Sequence, residues 1–202
     1  MLELIFVIVV VAILAAVIVP RMDRDTIYEA AEQVLGHIKY TQHLAMVDNI
    51  YDDNTNNWHY ARWQIDFYDG TGGCGEIFYA VGSDTNLTGV SLVANDAARD
   101  PLTNDLLYND TATCARTSGW HNDIILSDKY SIASLSMSAA CNTANDIIAF
   151  DQLGRPYTAF TTDDPTANLL KTDCNITITD SSANTATITI TPETGYSFIT
   201  FN

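Results

Sequence analysis

Hydrophobic and polar positions divide the chain sharply. Leu4 to Val19 is an unbroken uncharged apolar run, with one carboxylate, Glu3, at its front edge and Pro20-Arg21 behind it. After Pro20 the pattern turns amphipathic. Ile27, Ala31, Val34, Leu35, Ile38 and Ala45 recur at helical spacing, with Leu44 near the same face. Asp23, Asp25, Glu29 and Glu32 fall toward the start of this half, where carboxylates complement a helix N-terminus if the helix restarts after the proline. The pattern predicts a long N-terminal helix ending near Asp48-Asn49: an apolar tail, then an amphipathic half. At about 1.5 Å per residue it would span roughly 70 Å.

Beyond a polar loop at residues 52–57 the period changes to two. WHYARWQIDFY places Ala61, Trp63, Ile65 and Phe67 on one face and Tyr60, Arg62, Gln64 and Asp66 on the other, predicting a half-buried strand. Gly70, Gly72 and Gly73 mark a turn, and Glu76 to Val81 reads as the hairpin partner. Residues 83–123 show little periodicity and read as a long irregular insertion, a length that in a compact domain is usually functional or pinned. Further strands are expected at Ser131–Ser138, Asp146–Phe150, Asn175–Thr179, Thr185–Thr191 and Tyr196–Phe201, with Ala186, Ile188 and Ile190 alternating cleanly against threonines. The predicted class is therefore α+β, a long helix packed on an antiparallel sheet. Residues 1–49 would be the helix, with 1–20 its apolar tail, and 50–202 a β-rich head.

Composition narrows the use of such a head. The 202-residue chain carries a formal charge of −16 with only 9 Lys and Arg, which excludes nucleic acid as a partner, since that requires a basic footprint. The charge suits a solvated, self-repelling surface. Four cysteines, Cys74, Cys114, Cys141 and Cys174, lie beyond the tail and form no CxxC pair. Behind an export-type segment they read as disulfides in an oxidising compartment. Of the possible pairings, Cys74–Cys114 and Cys141–Cys174 are favoured, because each closes a local loop and the second joins expected neighbouring strands. Such loops contribute about 3–4 kcal/mol in the chain-entropy model, and Cys114 would pin the 83–123 insertion.

The apolar run admits several uses. A cleaved signal peptide has a basic region before its core and small residues after it, whereas nothing basic precedes this run and Pro20-Arg21 follows it. A plain transmembrane anchor needs about 20 apolar residues; this run is slightly shorter and carries Glu3, whose burial in lipid costs a few kcal/mol or more. The segment LELIFVIVVVAILAAVIVP resembles the mature N-terminus of type IV pilins and type II secretion pseudopilins. In that family a proline follows a glutamate by seventeen positions, the separation of Glu3 and Pro20 here. The family's glutamate is the fifth mature residue, so two residues are expected ahead of Met1. Ala12 stands where the family commonly has glycine, which favours the helix by about 1 kcal/mol. Two later stretches, IAFDQLGRPY and TITITPETGYSFI, resemble more loosely the carboxyl-terminal half of H-type pseudopilins.

The resemblance implies a subunit processed by prepilin peptidase, methylated at its mature N-terminus, stored in the inner membrane and assembled by an ATPase-driven machine. Its partners would be copies of itself in an extracellular helical filament, or in a periplasmic one for a pseudopilin. Leu4, Phe6 and Leu14 would pack in the filament core, Glu3 would meet the N-terminal amine of an adjacent subunit and set the register, and Pro20 would supply a bend. The alternative of a different class is a membrane-anchored periplasmic binding or calcium module.

Chemistry is sparse. No HExxH, GxSxG, P-loop or dinucleotide fingerprint occurs, and His37 and His43 fall on different faces of the helix, so an enzyme is not expected. Asp84-Thr85-Asn86-Leu87-Thr88-Gly89 matches the start of a calcium loop, with Asp84, Asn86 and Thr88 offering side-chain oxygens; the bidentate glutamate is missing, and Asn95 with Asp96 stands in its place. The competing reading is an Asx-turn. N-x-Thr sequons occur at Asn86, Asn109 and Asn175.

Overall fold

The computed structural model of the chain describes residues 2–71, 73, 75–89, 91–110, 113, 115, 117–142, 146–160 and 164–201; in the first helix, side chains are described at Glu3, at 5–14 and from Thr26 on. Cys74 and Cys114 lie outside the described residues, and with them their expected pairing. The architecture is α+β. Helix α1 spans Leu2–Val47 and runs through Pro20. The strands are β1 (Trp63–Asp69), β2 (Ile77–Ser83), β3 (Ile132–Met137), β4 (Ile147–Phe150), β5 (Pro156–Tyr157), β6 (Cys174–Asp180), β7 (Thr185–Ile190) and β8 (Ser197–Phe201), with a short helix α2 at Leu126–Lys129 before β3.

The expected single sheet is divided into two 4-stranded antiparallel sheets, ordered β2-β1-β4-β5 and β3-β6-β7-β8. The reason lies at the edges of the β1–β2 hairpin. β4 takes the free edge of β1, with Trp63 opposite Phe150. The 83–123 insertion takes the free edge of β2: the Ala98 N–H donates to the Val81 carbonyl at 2.8 Å, and the Val81 N–H donates to the Leu107 carbonyl at 2.9 Å. With both edges occupied, β3 pairs with β6 instead.

α1 lies across both sheets, touching β1, β2 and β4 on one side and β6, β7 and β8 on the other. Its stripe of Ile27, Ala30, Ala31, Val34, Leu35, Ile38 and Ala45 is buried in one core with Ile65, Phe67, Phe150, Ile176, Ile178, Ile188 and Ile190. Burying an isoleucine or valine contributes about 1.5–3 kcal/mol, so this stripe holds the helix to the head. In β6 and β7 the Ile-Thr alternation sorts the faces: Ile176 opposes Ile188 inside, while Thr177 pairs its hydroxyl with Thr187 outside at 3.3 Å. The Asp180 carboxylate closes their turn by accepting the N–H groups of Ser182 and Asn184 at 2.9 and 2.8 Å.

The first strand departs from expectation twice. Trp58–Ala61 is a 3-10 helix, and pairing begins only at Trp63. The strand is not half-buried either: Gln64 and Asp66 are as fully enclosed as Ile65. Their face is covered by the insertion, whose Leu92 and Tyr108 form a second cluster with Ala80, flanked by Tyr68, Leu106 and Trp120.

Candidate assembly helix and the buried polar chain on its inner face

α1 has two regimes. Before residue 15 its described side chains are exposed all round the helix: Phe6 is 71% exposed and Leu14 56%, with Ile5, Val7, Ile8, Val9, Val11 and Ile13 similar. Glu3, in the first turn, is exposed as well. The Leu4 and Pro20 side chains lie outside those described. Among the described residues no helix is long and apolar enough to cross a membrane; the described apolar stretch, Ile5 to Leu14, is shorter than the roughly 20 residues a span needs. From Ile27 onward the same helix buries one face in the head.

That buried face carries polar groups that the helical stripe itself marks out. His37 and Thr41 sit among its apolar residues, and both are buried. The Thr41 hydroxyl donates back to the His37 carbonyl at 2.7 Å. His37 Nδ1 lies 2.6 Å from the Tyr79 hydroxyl on β2. His37 Nε2 lies 3.5 Å from Asp100 Oδ2, and His121 Nε2 reaches the same oxygen at 3.7 Å. The other Asp100 oxygen accepts the N–H groups of Leu102 and Thr103, each at 2.8 Å. The chain thus ties α1 to β2 through Tyr79 and, directly, to Asp100 of the insertion, which His121 also meets.

The electrostatics follow from burial. Desolvation lowers the His37 pKa, and the neighbouring Asp100 only partly offsets it. Burial holds the Tyr79 hydroxyl well above its usual value, so it stays protonated. Its O–H then donates to His37 Nδ1, and Nε2–H points at Asp100. Burial works against the Asp100 carboxylate, but the Thr103 and Leu102 amides with His121 and His37 outweigh it, leaving its pKa below the usual carboxylate value. An open cleft of about 410 Å³ flanks this chain, lined by Glu29, Glu32, Gln33, Gly36, His37 and Tyr130. Burial, with Asp123 and Glu29 nearby, pushes the Tyr130 hydroxyl up to about 12.

Other sequence candidates are placed as follows. Cys141 and Cys174 form the expected disulfide, with Cα atoms 5.5 Å apart. Asp84 is buried, and its Oδ2 accepts the Gly89 N–H at 2.7 Å and the Thr88 hydroxyl at 3.0 Å. Asn86 and Thr88 are exposed, so Asp84 acts here as the cap of its own turn. Among the described residues no group of His, Cys, Asp and Glu side chains is arranged to hold a metal ion. In the IAFDQLGRPY stretch Asp151 is the hub: it accepts the Leu153 and Arg155 amides at 2.9 Å, pairs with the Arg155 guanidinium at 2.7 Å and accepts the Tyr157 hydroxyl at 3.2 Å.

Sequence reasoning missed the polar chain. Its signal was a histidine and a threonine, four apart, on an otherwise apolar stripe. It placed Asp66 on the open polar face of a half-buried strand, whereas the residue is enclosed. That carboxylate accepts the Leu92 N–H and the Gln64 side-chain amide, both at 2.9 Å, and burial pushes its pKa up to about 7. No protein-family model, curated protein or solved structure matches the chain.

Proposed function

We propose that the chain is a structural subunit of an extracellular, type IV pilus-like helical filament, assembled through its N-terminal helix. The observation that carries this reading is the division of α1 into an exposed apolar part and a part anchored in the head. A helix apolar on all sides requires cover. In this reading the cover is lipid before assembly and copies of the same segment afterwards. Leu4, Phe6 and Leu14 pack among those copies, Pro20 bends the helix between its two halves, and Glu3 meets the N-terminal amine of a neighbour. Pairing a carboxylate with an amine inside an apolar bundle offsets a cost that neither charge could bear alone, which selects one axial register. The acidic head, at −16 for the chain, then faces solvent and keeps filaments apart. The resemblance of residues 2–20 to pilins and pseudopilins supports the same assignment. Prepilin peptidase and an inner-membrane assembly machine would be the partners that process and polymerise it.

A Glu3→Ala substitution tests the reading. The head should fold unchanged by circular dichroism, while electron microscopy of sheared surface material should show filaments reduced at least tenfold. Normal filament numbers from that variant would refute the register role. Filaments confined to the periplasm would instead mark a secretion pseudopilin, the version favoured by the looser resemblance of IAFDQLGRPY.

A further inference from the structure

We propose that Asn86 is an N-glycan acceptor on the exported head. The sequence offers N-x-Thr sequons at Asn86, Asn109 and Asn175, and the fold separates them. Asn109 is 2% exposed, with its amide turned toward Glu76 at 3.4 Å. Asn175 lies in β6, paired with a strand on each side. Its side-chain oxygen accepts the Thr189 hydroxyl at 2.8 Å, and the next residue, Ile176, is fully buried. Asn109 is therefore out of a transferase's reach, while Asn175, although exposed, is fixed in a β ladder with its side chain engaged. Asn86 alone is both exposed and outside a strand. It occupies a tight turn closed by the Leu87 N–H donating to the Asp84 carbonyl at 3.1 Å. Its side chain is exposed, and no hydrogen bond among the described residues holds its amide. Thr88, the hydroxyl residue of the sequon, is exposed two positions on.

The turn is also rigidly presented. Asp84 Oδ2 caps it from beneath, and the Thr85 hydroxyl donates to Asp96 Oδ1 at 2.6 Å, so Asn86 stands on a fixed platform. Accessible sequons of this kind are acceptors in chains that cross a membrane. Export is supported by the Cys141–Cys174 disulfide, a bond that forms in oxidising compartments. The proposal therefore does not depend on filament assembly. The co-reactant is an oligosaccharide linked through phosphate to a lipid carrier, delivered by an oligosaccharyltransferase. Asn86 Nδ2 attacks the anomeric carbon and a C–N bond forms. The anomeric C–O bond breaks, the lipid phosphate leaves with the electron pair, and the amide gives up one proton to the transferase's base.

The test is peptide mapping by mass spectrometry on full-length protein recovered from its own producing cells. The peptide containing Asn86 should carry a saccharide mass increment. The increment should vanish in Asn86→Gln and persist in Thr88→Ser, which keeps both the sequon and the hydroxyl to Asp84. Both variants should match the unaltered chain by circular dichroism, since Asn86 supports nothing else. An unmodified Asn86, or a glycan confined to Asn109 or Asn175, overturns the proposal. Filament counts from the same cells report separately on assembly.

Discussion

His37 of α1 and His121 of the insertion share a single carboxylate oxygen, Asp100 Oδ2, at 3.5 and 3.7 Å. The helix proposed for assembly is thereby joined to the most irregular part of the head through that carboxylate.

Acid should loosen this joint. Burial lowers the His37 pKa from 6.5, so the folded state holds its neutral form. A histidine whose folded pKa is depressed contributes stability that is present above pH 6.5 and is lost as pH falls through the folded value. Protonation also forces the Tyr79 hydroxyl to stop donating to Nδ1. Asp100, held below its usual value, adds a further loss in the same direction at still lower pH. Thermal unfolding should show Tm falling as pH drops below 6.5. His37→Gln should cost about 1–2 kcal/mol at pH 7.5, the worth of a buried hydrogen bond, and flatten the acid slope. An unchanged slope in that variant would remove His37 from the account.

Asp66 should behave in the opposite sense. Its folded pKa is raised from 3.8 to about 7, so its contribution is fully present below pH 3.8 and is lost as pH rises through 7. The difference is on the order of 4 kcal/mol between the protonation states. Asp66→Asn keeps an oxygen for the Leu92 N–H and presents an amide to Gln64, whose own buried oxygen has no hydrogen-bond partner among the described residues. The variant should unfold at higher temperature than the native chain at pH 8, with the advantage gone below about pH 5. A lower Tm at pH 8 would show that the carboxylate is stabilising there.

These residues also show what the sequence could and could not reveal. The helical stripe from Ile27 to Ala45 and the Ile-Thr alternation of β7 are local periodicities, and the structure buries the positions they name. Gln64 and Asp66 sat on the polar face of an equally clear alternation, yet they are enclosed. Period two reports which residues share a face, not what covers that face. The cover comes from Leu92, Leu106, Tyr108 and Trp120, spread without period through the insertion. The split into two sheets is likewise non-local, decided by which segment reaches each edge of the β1–β2 hairpin. At 58–61 the alternation gave way to ring contacts: Tyr51 meets Trp58 at 5.1 Å, and His59 meets Tyr60 at 4.7 Å, in a 3-10 turn.

Gly82 tests how tightly the insertion is held to β2. It pairs with Ala97, and a Cβ at this position would strike the Asp96 carbonyl carbon at 2.9 Å and the Leu92 side chain at 3.1 Å. The obstacle is backbone, which cannot rotate away. Gly82→Ala should cost about 1–3 kcal/mol, the usual penalty of overpacking. Hydrogen exchange should locate the damage: the amides of Ala98 and Leu107 should lose protection, while Ile176 and Ile188, in the other sheet, keep theirs. Uniform loss across both sheets would mean that the insertion is not a separable layer.

The Cys141–Cys174 bond closes a loop with a sequence separation of 33 and anchors the start of β6 to the segment after β3. A loop of that size restrains the unfolded chain by about 3–4 kcal/mol. Replacing both cysteines by serine should therefore lower Tm by roughly 10 °C, taking about 2–4 °C per kcal/mol for a domain of this size. The loss should appear chiefly as a shift of the denaturant midpoint, since the native contacts of Ile176 and Ile190 do not require the sulfur bridge. Because both sulfurs are fully buried, a mild reductant should leave the folded head intact and act only once it opens. Rapid reduction of the native protein at pH 7, with no fall in Tm for the serine pair, would show that the bond contributes little to holding the head together.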